Sequence, residues 1–86
     1  MNKVEIEIDI EDEQLRNTLY TNLDVETQAT KTDRGFASAE INGSKLIITI
    51  EAQDYVAARA ITNSMMRLLQ ASVDVAESIT IKRQEE

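Results

Sequence analysis

From Lys3 to Ile10 apolar and charged residues alternate without a break. Val4, Ile6, Ile8 and Ile10 fall on one side; Lys3, Glu5, Glu7 and Asp9 fall on the other. A period of two marks a strand buried on one face. The acids Glu11-Asp12-Glu13 follow, where a helix N-terminus favours negative charge. Leu15, Leu19 and Leu23 then recur every four residues, which predicts a short helix from about Glu11 to Asn22. Asp24–Asp33 has weak periodicity and reads as a loop with some extended backbone. Gly35–Ile41 predicts a second strand, with Ala37, Ala39 and Ile41 on one face. Asn42-Gly43 is a strong hairpin signal, because both residues tolerate positive φ. Lys45–Ala52 is the third strand, with Leu46, Ile48 and Ile50 facing one way. Asp54 is a good N-cap for a long helix.

The predicted order is β-α-β-β-α. The economical solution is an α+β domain of two layers: a three-stranded antiparallel sheet with both helices on one face. The other face carries Lys3, Glu5, Glu7, Lys45 and Glu51 and can sit in water. The strand-like Ile79-Thr80-Ile81 either continues the helix or returns to the sheet. Lys82–Glu86 is a charged tail expected to fray.

The stretch Asp54–Glu77 reads as one amphipathic helix with an unusually wide apolar side. At about 100° per residue, Ala58, Ile61, Met65, Leu68 and Ser72 cluster together. Met66, Leu69 and Val73 extend this face one way; Ala57, Ser64, Ala71 and Val75 extend it the other. The uncharged arc spans on the order of 200°, about twice what a helix lying on one core needs. Either the sheet and the first helix cover all of it, or Met66, Leu69 and Val73 serve a protein partner. Methionine adapts to a partner's shape. The small residues Ala57, Ala60, Ser64 and Ala71 would let another helix come close. On the polar edge, Arg59, Asn63 and Arg67 stand at four-residue spacing. Such a row is usually solvated, and Asp74 and Glu77 are near enough in sequence to pair with the arginines. Asn63 is a poor helix former and asks for a reason to be there.

A chain of 86 residues fits a single domain over 1–86. A domain this small buries a smaller share of its surface than a larger one. With no cysteine and no histidine, neither a disulfide nor a soft-metal site can staple it, so oligomerisation is the natural source of further burial. The N-terminus alternates charge with isoleucine and has no signal-peptide core, and no apolar run is long enough to span a membrane. A cytoplasmic protein is the default expectation.

Nine basic and sixteen acidic residues give a formal net charge of −7. A protein that held phosphates by its global field would be basic. Contact with RNA would therefore need a local patch or a partner. Without His or Cys there is no common nucleophile–base pair. The linear run Glu11-Asp12-Glu13 does not supply converging oxygens for a hard metal. Gly35 and Gly43 cannot make a phosphate loop, and three aromatics are too few for a base-stacking platform. No catalytic, cofactor or metal site is expected.

Asp54, Arg59-Ala60 and Asn63-Ser64, preceded by the strand Leu46–Ala52 and followed by an apolar helix, resemble a known family. It is the Pcc-type (cancer/testis antigen-like) small subunit of the KEOPS complex. The resemblance covers the whole chain in element order and length, and its specific part is those five positions. Ala58 stands where the family usually has leucine before the arginine. The resemblance implies a non-catalytic homodimer whose protomers dock through their helices on the threonylcarbamoyltransferase subunit. That assembly makes threonylcarbamoyl-adenosine (t6A) in tRNA, and the small-subunit dimer is implicated in tRNA contact. On this chain the implied docking residues are Leu15, Leu19, Met65, Met66, Leu69 and Val73. The candidates for RNA contact are Arg59, Asn63 and Arg67, then Arg34 and Lys31. Dimerisation is expected to use a sheet edge, because an uncovered edge is a liability that pairing removes. The competing reading is a free-standing α+β module that binds a protein or ligand and has no part in tRNA modification.

Overall fold

The computed structural model describes residues 2–70 and 78–85, with side chains for 2–69. It contains β1 (Asn2–Asp9), α1 (Glu13–Ala29), β2 (Gly35–Asn42), β3 (Lys45–Ala52), α2 (Tyr55–Gln70) and β4 (Ser78–Glu85). The sheet order is β2-β3-β1-β4, with every neighbouring pair antiparallel. The two split β-α-β units interleave, so β1 lies between β3 and β4.

The expected three-stranded antiparallel sheet and two helices are present, and β4 adds a fourth strand. Residues 82–85, expected to fray as a charged tail, belong to that strand. The physical reason is the second edge of β1, which would otherwise be open. Ser78–Glu85 pairs along its whole length, with Ile79 opposite Ile8 and Ile81 opposite Ile6.

The alternation in β1 acts as read. Val4, Ile6 and Ile8, with Ile10 just beyond the strand, are buried with Leu46, Ile48 and Ile50 of β3 and Ala37 of β2. Leu19 and Leu23 of α1 and Ile61, Met65 and Leu69 of α2 join the same cluster, so both helices cover one face. Burying each such large side chain contributes about 1.5–3 kcal/mol. On the opposite face Lys45 Nζ lies 3.7 Å from Glu7 Oε2. Ile47 is buried on that face, at a register position between Glu7 and Glu40.

The first helix is longer than its leucines suggest, and Asp24–Ala29 is helix rather than loop. The row Leu19, Leu23 continues to Thr27, which is buried on the same side. Its hydroxyl donates to the Asp24 carbonyl at 2.8 Å, so the polar group is satisfied inside the core. A threonine in an apolar row weakens the pattern without breaking the helix. At the other end Asp12 caps α1, its Oδ1 accepting from the Leu15 N–H at 3.1 Å. Arg16 Nη1 donates to the Ile10 carbonyl at 2.7 Å and ties the first turn of α1 to the end of β1.

The hairpin also differs in detail. Asn42 is the last residue of β2, opposite Lys45, and the turn is Gly43-Ser44. Gly43 has φ of 63° and no other described residue has positive φ, the signature of a turn with glycine at its first central position. Asn42 therefore needs no left-handed backbone.

Candidate interaction site between the helices

The site begins with Asp54. Its Oδ1 accepts from the Ala57 N–H at 2.8 Å, capping α2. Its Oδ2 accepts from Arg34 Nη2 at 2.6 Å. The Ala57 hydrogen bond first, and the Arg34 guanidinium next, hold the Asp54 carboxyl below its ordinary value. The Gln53 N–H donates to the Arg34 carbonyl at 2.8 Å, so the segment leading into β2 is bound to the start of α2 by backbone and side chain.

Gly35 makes that junction close. A Cβ there would lie 2.8 Å from the Glu51 carbonyl oxygen, 2.9 Å from Ala52 Cβ and 3.0 Å from Ile61 Cδ1. β2 therefore starts in direct contact with β3 and the first turns of α2. Behind this junction Ala52, Ala57 and Ala58 form a small buried cluster of their own. The alanine at 58, where the family pattern has leucine, fills a place with little room.

Between the end of α1 and the outer side of α2 lies a cleft of about 350 Å³, lined by Thr30, Thr32, Arg34, Ala57, Ala60, Ile61 and Ser64. A second, of about 330 Å³, is lined by Glu26, Ser64, Arg67 and Leu68. Ser64 borders both, so they follow one another along the helix pair. Its hydroxyl donates back to the Ala60 carbonyl at 3.2 Å and leaves the surface of the helix low. Ala57, Ala60 and Ser64, three of the four small residues noted in the sequence, line this groove. Ala71 lies outside the described residues.

The proposed docking residues divide. Leu19, Met65 and Leu69 are buried in the protomer's own core, with Met65 fully inaccessible. These three pack first against the protomer's own sheet and helices. Leu15 and Met66 are half-buried against that core. Val73 lies outside the described residues. Arg59, Asn63, Arg67, Arg34 and Lys31 are all exposed. Arg34 is committed to Asp54, whereas Arg59 and Arg67 make no ion pair among the described residues. Asp74 and Glu77, the partners suggested for them, lie outside that range. Sequence reasoning missed Thr30, Thr32 and Glu26, which line the groove because α1 runs on past Asn22. The only signal for them was Thr27 in the leucine row.

Among the described residues no cluster of three or more acids could hold a metal ion. No helix there is long and apolar enough to cross a membrane.

Residues 3–77 match the family model described as transcription factor Pcc1. The chain belongs to the Pcc1 family. This is the family of the small KEOPS subunit, a non-catalytic component, and it places the chain among KEOPS-complex proteins. β4 lies beyond the matched span. No curated protein sequence matches the chain. Among solved structures, the de novo designed protein Foldit4 superposes with a TM-score of 0.73 at 12% identity, covering 99% of this chain and 97% of that one. Rv0793 from Mycobacterium tuberculosis gives a TM-score of 0.72 at 8% identity, covering 100% and 95%. A designed protein with ferredoxin fold, LFR1 1, gives 0.58 at 16% identity, covering 96% and 81%. At such identities these likenesses show the fold alone.

Proposed function

We propose that this Pcc1-family protein is a non-catalytic, cytoplasmic adaptor of the KEOPS complex, acting as a homodimer. It docks on the threonylcarbamoyltransferase subunit through the groove between α1 and α2, and supports tRNA binding for t6A modification. The observation that carries this reading is the position of the family's motif residues around the groove. Ala60 and Ser64 line it, Asp54 anchors its rim through Arg34, and Arg59 and Asn63 stand on the exposed side of the same helix. A groove floored by alanine and serine accepts a partner helix at close backbone distance. Outside the groove lining, Leu15 and Met66 leave apolar area that is only half covered against the core. Contact with tRNA would fall to the exposed Arg59 and Arg67, since arginine offers a planar fork to phosphate oxygens.

The test is the mass in solution of this protein mixed with the cognate transferase subunit, by light scattering after gel filtration. A complex containing two copies of this chain is expected. Separate peaks would overturn the adaptor reading and favour a free-standing binding module.

A further inference from the structure

Of the five asparagines, Asn42 alone precedes a glycine. Asn17, Asn22 and Asn63 lie inside α1 and α2, where the next N–H is held in the helix ladder. Asn2 starts β1 and is followed by Lys3, whose side chain crowds the peptide nitrogen between them. Asn42 is exposed at the end of β2. Gly43 beyond it has φ of 63°, and nothing lies within 4 Å of where a Cβ would stand. Its N–H makes no hydrogen bond among the described residues. An exposed side-chain amide is thus followed by a backbone nitrogen that is neither shielded nor bonded.

We propose that Asn42-Gly43 is a site of spontaneous deamidation, and that opening of the hairpin sets its rate. The Gly43 nitrogen attacks Asn42 Cγ and gives up its proton. The new N–Cγ bond closes a five-membered succinimide, and the side-chain nitrogen leaves as ammonia. Water then opens the ring at either carbonyl, giving aspartate or isoaspartate. The only co-reactant is water. Asn42 is paired with Lys45 in extended backbone, where ψ is about +135°. At that angle Cγ stands away from the Gly43 nitrogen, so the end of the hairpin must open before the ring can close.

The turn is tied to more than β3. Ser44 Oγ donates to Asp9 Oδ1 at 2.9 Å, and the Ser44 carbonyl accepts from the Ile10 N–H at 2.9 Å. The Ile10 carbonyl in turn accepts from Arg16 Nη1 at 2.7 Å. Isoaspartate adds a methylene to the backbone just before Gly43 and shifts Ser44 against the end of β1. Either product sets a carboxylate opposite Lys45, in competition with Glu7 at 3.7 Å. The modification therefore loosens the junction of β1 with α1. It also makes the chain one charge more negative than its formal −7.

The test ages the full chain at mildly alkaline pH, in buffer and in urea, and maps its peptides by mass spectrometry. Enzymatic methylation of the freed carboxyl reads isoaspartate. Loss of the amide is expected at Asn42 before any other asparagine, and faster in urea than in buffer. The isoaspartate form, separated by ion exchange, should melt below fresh protein, and Asn42→Gln aged in parallel should keep its melting temperature. An Asn42 that stays intact in buffer, or another asparagine that changes first, overturns the site. Equal rates in buffer and urea overturn control by the hairpin. An isoaspartate form that melts with fresh protein overturns the loosening at β1.

Discussion

Arg34 and Asp54, twenty residues apart, meet at 2.6 Å while the second oxygen of Asp54 caps α2 at Ala57. One carboxylate therefore fixes both the start of the helix and the loop that forms the rim of the groove. Both side chains are about half exposed, so the pair orders this rim more than it stabilises the whole fold.

The pair predicts a pH dependence with a definite sign. Asp54 is held below its ordinary value of 3.8, so its contribution is present above that pH and is lost as pH falls through the lower folded value. Asp54→Asn keeps a cap-competent side chain and removes this titration. Melting temperatures followed down from about pH 6 should fall less steeply for the variant than for the wild type. Parallel curves would show that Asp54 does not titrate as described.

The two glycines should fail for different reasons. Gly35→Ala forces a Cβ against the Glu51 carbonyl and should cost about 1–3 kcal/mol through overpacking. Gly43→Ala meets nothing within 4 Å, and its φ of 63° alone sets the cost, at about 1–2 kcal/mol. Urea denaturation gives both values. The Gly35 variant should also disturb the groove, and the Gly43 variant should not.

Core and surface along α1 are distinguishable by truncation. Leu23 is fully buried, so Leu23→Ala should cost about 2–5 kcal/mol. Val25, 66% exposed two residues later, should change stability by no more than about 0.5 kcal/mol on the same substitution. Equal effects at both positions would contradict the helix described here.

That helix shows how far the chain could be read in advance. β1 and β3 were legible because every second residue is apolar and one face is buried. The end of α1 was not, because Thr27 takes a core position with a polar side chain whose hydroxyl is satisfied only once the helix exists. β4 was ambiguous for a related reason: two isoleucines followed by charges mark a strand only when β1 offers an edge to pair with. The wide apolar arc of α2 was real, but its division was hidden. Met65 and Leu69 turn inward, and the groove is floored by alanine and serine, which carry little hydrophobic signal.

The exposed arginines predict a salt-dependent tRNA interaction. Replacing Arg59 and Arg67 with alanine should weaken tRNA association across sequences. The slope of log affinity against log salt should fall by about 1 for each phosphate no longer neutralised. Titrations at several salt concentrations measure this directly. An unchanged slope would remove both residues from the interface.

The central claim is that the groove between α1 and α2 receives the transferase subunit, and Ala60→Glu tests it most directly. Ala60 is exposed and lines the groove, so the substitution should leave the fold intact while placing a charge where a partner helix must lie. Calorimetric titration of the transferase subunit should show binding to the wild type and none to Ala60→Glu, with matching thermal melts. Undiminished binding by a folded Ala60→Glu would contradict docking in this groove.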